Sequence, residues 1–135
     1  MTEIKAKLNY LRISPRKVRL AADLMRNQKV RKAIKQLIFL NKRAARPLKK
    51  MLESALANAR NNFGIKNEDR LYVKEIRVDE GPMLKRYLPR AFGRAAMIRK
   101  KTSHVSIILS EQEDNEVSAK GESASGGKNS LSHKV

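Results

Sequence analysis

Residues 71–110 read LYVKEIRVDEGPMLKRYLPRAFGRAAMIRKKTSHVSIILS, two β-rich stretches separated by a long basic insert. Leu71–Asp79 is rich in β-branched and aromatic residues, and its alternation slips around Lys74-Glu75, as a β-bulge would make it do. In His104–Ser110, Val105, Ile107 and Leu109 alternate with Ser106 and Ser110, the pattern of a strand with one buried face. Between them, Gly81–Ser103 is far longer than the roughly two to five residues of an ordinary hairpin loop. It contains no acid, and it is too polar to bury a face of its own. Two arms of about ten residues at roughly 3.3 Å each reach about 30 Å from the sheet. An isolated hairpin is marginal in water, so this arm is expected to take its order from a partner that supplies negative charge.

Upstream, Ile4, Ala6, Leu8 and Tyr10 alternate with Glu3, Lys5, Lys7 and Asn9, which predicts a first strand. Ser14-Pro15 has the form of a helix start, a hydroxyl at the N-cap and proline at the first helical position. Val18, Ala21, Ala22 and Met25 mark its inner face, with Arg16, Lys17, Arg19 and Arg26 outside. After a break at Asn27–Lys29, Val30, Ala33, Ile34, Leu37 and Ile38 recur at helical spacing. Asn41 is the expected cap of a third helix with the stripe Ala45, Leu48, Leu52, Ala55, Ala59 and Phe63, stopped by Gly64. Pro47 interrupts that pattern, and a kink is the expected consequence. Strand, three helices, strand, insert, strand predicts an α+β fold: a small three-stranded antiparallel sheet with three helices on one face and a protruding β-hairpin arm.

The chain has 135 residues, a length for one domain. The expected organisation is a globular unit over 1–110 that includes the arm at 81–103. A polar tail over 111–135, too poor in apolar residues to fold, follows it. There is no cysteine, which excludes disulfides, thiolate zinc sites and cysteine nucleophiles. No apolar run is long enough to span a membrane, and the start reads directly into a strand without a cleavable leader. A cytoplasmic protein is expected. The formal charge is +18, and it is unevenly placed: residues 1–50 carry 16 bases and two acids, and residues 82–110 carry seven bases and none. Such a field favours a polyanion, with nucleic acid ahead of a membrane surface.

The residue types agree. Lys85, Arg86, Arg90, Arg94, Arg99, Lys100 and Lys101 of the arm can neutralise phosphates, and arginine adds planar, bidentate donation. Tyr87 and Phe92 can stack on unpaired bases. Pro89 and Gly93 frame a tip where backbone approaches closely. Arg12–Arg19 places further bases at a helix start whose free amides also suit phosphate. Catalytic machinery is not expected. His104 and His133 build no metal site, Ser103-His104 has no placed carboxylate, and no glycine-rich phosphate loop exists. Glu75, Asp79 and Glu80 are carboxylates of a kind that hold magnesium in nucleases, but orienting Arg77 or repelling phosphate suits them better. A DNA-binding regulator is the competing reading, with residues 15–26 and 30–40 as a helix-turn-helix. That second helix lacks the polar base-readers, and the arm would have no use.

The stretches SPRKVRLAADLMR, LESALANARNN and VDEGPMLKRYLPRAFGRA…TSHVSIIL together resemble the ribosomal protein L twenty-two family of the large subunit, over about residues 4–110. Lys85, Arg90-Ala-Phe-Gly-Arg94 and His104-Val105 stand in register with its signature. The resemblance implies an α+β globule on large-subunit rRNA of the 23S type, beside neighbouring ribosomal proteins near the exit of the peptide tunnel. The family's hairpin helps line the tunnel wall near where macrolide antibiotics bind. On that reading Lys7, Arg12, Ser14, Arg16, Lys17 and Arg19 bind RNA together with Lys85, Arg86, Arg90, Arg94, Arg99, Lys100, Lys101, Thr102, Ser103 and His104. Leu84, Tyr87, Leu88, Pro89, Ala91, Phe92 and Gly93 form the tip that faces the tunnel and the nascent peptide. Neither a cofactor nor a metal, a small-molecule substrate or a membrane is implied. Pro47 and the tail depart from the family pattern.

Overall fold

The period-two stretches pair around the last of them. The computed structural model describes residues 3–111. The chain runs β1 (Glu3–Leu11), α1 (Pro15–Asp23), α2 (Val30–Phe39), α3 (Ala45–Phe63), β2 (Leu71–Glu80), β3 (Leu84–Pro89), β4 (Ala95–Lys100) and β5 (Ser103–Glu111). Of the tail expected over 111–135, residues 112–135 lie outside the described residues, and its first residue, Glu111, closes β5. β1, β5 and β2 form an antiparallel sheet in that order, while β3 and β4 form a separate two-stranded ladder. β5 is central because it alternates most regularly: Val105, Ile107 and Leu109 are fully buried on the helix side.

The register carries the predicted bulge, a slip between Val73 and Glu75 against β5. A second slip, between Leu8 and Leu11, overturns the placing of Tyr10 on the inner face of β1. Tyr10 has a positive φ of 56°, and its side chain is 66% exposed. Ile4 is buried and Ala6 and Leu8 pack against the core, but the bulge turns the next inward position out.

Each helix buries its small and aliphatic stripe. α1 rests on β2, α3 rests on β1, and α2 rests on α3. Val18, Ala21, Ala22 and Met25 are buried as predicted. In α2 the buried positions are Val30, Ala33 and Leu37, whereas Ile38 is exposed. In α3 Met51 joins Ala45, Leu48, Leu52, Ala55 and Ala59, and Phe63, expected inside, is half exposed beyond the edge of the core.

Two expectations at the start of α3 are corrected. Its N-cap is Ala44 rather than Asn41, because the chain first makes a turn in which Ala45 N–H donates to the Lys42 carbonyl (3.0 Å). Pro47 is therefore the third helical residue, and the helix does not kink. An amide in the first turn has no acceptor within the helix, so proline there removes no hydrogen bond. At the other end Gly64 takes the left-handed conformation (φ 63°) that stops the helix.

A short 3₁₀ turn, Glu68–Arg70, leads into β2 and is held by charge. Glu68 accepts from Arg60 of α3 and lies 3.6 Å from the Arg31 guanidinium of α2, which also reaches Asp69 at 3.2 Å. The Arg60 hydrogen bond, assisted by the nearby cations, holds the Glu68 carboxyl below its ordinary value of 4.5.

Two outcomes follow. Pro47→Ala should lower stability in urea by up to about 1 kcal/mol, by loosening the unfolded chain; a proline inside a helix would instead give a gain of about 3 kcal/mol. The native chain should be more stable than Glu68→Gln at pH 7. Because the folded carboxyl is depressed, that advantage is present above pH 4.5 and disappears as pH falls through the folded value, which urea unfolding at several pH values tests.

Candidate nucleic-acid interface

The arm is a complete ladder of six antiparallel pairs, from Leu84↔Lys100 at its root to Pro89↔Ala95 near its tip. Six residues at about 3.4 Å give a paired length of roughly 20 Å, shorter than the full insert because residues 81–83 and 101–102 form the root. Residues 90–94 turn the chain: Arg90 N–H donates to the Arg94 carbonyl at 2.7 Å. Phe92 and Gly93 both take positive φ, 57° and 65°. Phe92 is fully exposed.

Opposed residues share a face, so Leu84, Arg86, Leu88, Ala96, Ile98 and Lys100 line one side. Lys85, Tyr87, Pro89, Ala95, Met97 and Arg99 line the other. Along the arm the chemistry changes. Lys85, Arg86, Arg99, Lys100 and Lys101 crowd the root, the distal half is apolar and small, and Arg90 and Arg94 flank the turn.

The root is fixed by buried polar contacts. Ser103 is fully buried and its hydroxyl donates to the Ile13 carbonyl at 2.5 Å. The Thr102 hydroxyl donates to the Pro82 carbonyl at 2.7 Å, and Gly81 N–H donates to the Thr102 carbonyl at 2.9 Å. A Cβ on Gly81 would collide with Thr102 Oγ1 and sit 3.2 Å from His104 Nε2, so the root closes only around glycine. His104 stacks edge-on against Tyr10, with ring centroids 4.7 Å apart, and its Nδ1 accepts from Tyr10 N–H at 3.1 Å. Thr102 and Ser103, read from sequence as RNA contacts, thus have their hydroxyls directed inward as the arm's hinge pins. A hydroxyl proton already given to a backbone carbonyl is not offered to a ligand.

Against this root lies a cleft of about 830 Å³ that joins two patches far apart in sequence. Arg12 and Lys17 come from the start of α1, and Arg86, Arg99, Lys100 and Lys101 from the arm. Lys42 and Arg43, from the turn before α3, complete it, and no acid lines it. Lys101 has Glu80 at 3.7 Å; Arg12, Lys17, Lys42, Arg43, Arg99 and Lys100 have no acidic partner among the described residues. Ser14 and Ala44, the N-caps of α1 and α3, line the same cleft, and neither helix has a side-chain cap or an acid in its first turn. Two uncapped helix N-termini and eight bases therefore converge on one concave, acid-free surface, an arrangement that binds phosphate groups.

The sequence-predicted residues divide. Arg12, Ser14, Lys17, Leu84, Arg86, Arg99, Lys100, Lys101 and Thr102 meet in this cleft. Lys7 lies in a separate groove against α3. Arg16 is exposed on α1, and Arg19 donates to the Val78 carbonyl at 3.2 Å, bridging α1 to β2. Lys85, Arg90 and Arg94 project from the arm. Lys42 and Arg43 were missed, since their charge was legible but their position depends on α3 starting at Ala45.

The carboxylates of β2 are engaged with bases. Glu75 accepts from Arg77 and Glu80 pairs with Lys101, and no cluster of three or more metal-ligating side chains occurs among the described residues. α1 and α2 are not a helix-turn-helix pair. The link between them is tied to β2, where Asn27 N–H donates to the Val73 carbonyl (3.1 Å) and Val73 N–H donates to the Gln28 carbonyl (2.9 Å). No helix among the described residues is long and apolar enough to cross a membrane.

An α+β globule with an acid-free basic cleft at the foot of a projecting β-arm defines a class, the small basic α+β proteins with an extended hairpin. The chain belongs to the ribosomal protein L22p/L17e family, whose model matches residues 6–110. Proteins named large ribosomal subunit protein uL22 are similar to it throughout that region. The relative from Mesoplasma florum is 58% identical over 110 residues, covering 82% of this chain and 97% of its own length. That from Caldicellulosiruptor saccharolyticus is 53% identical (83% and 93% covered), and that from Thermus thermophilus 56% (82% and 96%).

Gly81→Ala should cost about 1–3 kcal/mol of stability by overpacking the root. Gly81→Ala with Thr102→Ala should cost clearly less than the two single changes added, because the colliding hydroxyl is then gone. Strict additivity in chemical denaturation would show that the root does not depend on this approach.

Proposed function

We propose that this protein is a structural component of the large ribosomal subunit that binds large-subunit rRNA through the cleft and the arm, and that it has no catalytic role. The observation that carries this reading is the convergence of eight bases, beside two helix starts that have no side-chain cap, on one acid-free surface at the arm's root. Its mechanism is phosphate neutralisation and shape recognition: the cleft seats a folded RNA backbone, and the stiff root aims the arm along a second RNA surface. Family membership, and relatives named for the large subunit, select rRNA from among polyanions. The distal half of the arm carries Tyr87, Leu88, Pro89, Ala91, Phe92 and Gly93, whose largely apolar groups suit a wall that a passing peptide does not adhere to, whereas Leu84, expected with them, pairs with Lys100 at the root. We infer that this half lines the nascent-peptide tunnel, with Arg90 and Arg94 holding it to RNA. Neighbouring ribosomal proteins complete its surroundings, on cytoplasmic ribosomes.

Crosslinking in cells followed by sequencing of the attached RNA should give a footprint confined to a few large-subunit rRNA helices. Crosslinks scattered over messenger RNA, or recovery of DNA, overturn the assignment. With purified rRNA fragments, Arg12→Ala, Arg43→Ala and Lys100→Ala combined should weaken binding and lower the log–log salt slope by roughly 2–3. Arg90→Ala with Arg94→Ala should leave the globule folded but slow subunit assembly or alter macrolide sensitivity; unchanged subunit profiles together with unchanged sensitivity remove the arm from the tunnel.

A further inference from the structure

We propose that the acidic segment following β5, Glu113–Glu116, docks on the basic groove between β1 and α3 of the same chain. This groove, of about 720 Å³, is separate from the cleft at the arm's root. Its floor is apolar, with Ala6, Leu8 and Met51, and its rims are basic, with Lys7 on one side and Arg46 and Lys50 on the other. Those three cations have no acidic partner among the described residues. Two rims of like charge over an apolar floor are the complement of a narrow, anionic, extended segment.

The topology delivers such a segment. Glu3 of β1 faces Ser110 of β5, so β5 ends at Glu111 beside the start of β1, two residues from the Lys5 end of the groove. The next residues read QEDNEV: Glu113, Asp114 and Glu116, then Val117, with no base before Lys120. Crossing β1 takes about 5 Å, and each further residue adds roughly 3.4 Å, so a segment of this length is long enough to span both rims. The family model ends at residue 110, so this segment lies beyond the matched domain. Exposed ion pairs are individually weak; docking depends on several acting together on a short tether, and salt dissolves it. The docking itself stands independently of which nucleic acid the protein binds.

The absence of cysteine in the chain makes a disulfide-trapping test clean. In the full chain, Asn115→Cys with Ser54→Cys, Ser54 being in the groove, is compared with Asn115→Cys with Lys66→Cys. Lys66 is exposed on the link into β2, whose first residue Leu71 faces Glu111, so an undirected tail reaches it as easily. The Ser54 pair should oxidise roughly tenfold faster at low ionic strength. That advantage should vanish in high salt, and equally in Glu113→Gln, Asp114→Asn, Glu116→Gln combined. Equal rates for the two pairs, or a preference indifferent to salt and to neutralisation, overturn the proposal. Intermolecular disulfides from Ser54→Cys and Asn115→Cys chains mixed at low concentration, in place of the intramolecular one, also overturn it and give the groove to a second copy. None of these readouts involves RNA, so a failure here is distinct from a failure of the rRNA assignment.

Discussion

The buried hydrogen bond from the Ser103 hydroxyl to the Ile13 carbonyl ties together the two halves of the molecule that matter most to its surface. Ile13 stands in the link between β1 and α1; Ser103 opens the central strand just after the arm returns. A carbonyl buried at such a junction must be bonded, and the hydroxyl that bonds it also sets where the arm leaves the sheet. The distance between the start of α1 and the root of the arm is thereby fixed, and with it the shape of the cleft. Gly81, which admits no Cβ, and Thr102, bonded to Pro82, hold the other side of the same joint. A paired ribbon with little core of its own is aimed by its root rather than by its length.

Much of this is legible in the chain, and the rest depends on what surrounds each element. Strand alternation, the bulge near Lys74, the buried face of α1 and the stop at Gly64 are local consequences of side-chain period and backbone freedom, so they can be read residue by residue. Ile38 and Phe63 lie at the ends of helices, where the period continues but the core does not, whereas Tyr10 is turned out by a bulge that breaks the period of β1. Pro47 was read against an N-cap three residues too early; with Ala44 as the cap it sits where proline fits. In the candidate site the charges were evident but their grouping was not. Lys42 and Arg43 meet the arm only because α3 lies on β1, and Thr102 and Ser103 turn inward because the arm needs an anchor, neither of which a pattern of polar residues records.

The distribution of acids explains how a globule with so large a positive charge keeps its shape. Glu3 with Lys74 and Glu68 with Arg60 and Arg31 lie along seams between elements, and Glu75 with Arg77 lies within β2; all offset the repulsion of neighbouring bases. None lines the cleft or the arm. Self-repulsion is thus relieved where the fold requires it and left unrelieved where a polyanion would remove it.

The arm has one further property, which follows from its being a ribbon of only two strands. Both of its outer edges present unpaired backbone groups, the arrangement through which proteins join into extended sheets. Between copies in solution, the lysines and arginines at its root and turn hold these edges apart by mutual repulsion. Solubility of the free protein therefore depends on ionic surroundings in a non-monotonic way. A polyanion far below stoichiometry leaves the repulsion intact, and one in excess sheathes each arm separately. Near charge balance neither safeguard operates, and the edges of different molecules are free to meet. The charges that suit the arm to a polyanion are also what keeps its edges from pairing with those of other copies while no polyanion is at hand.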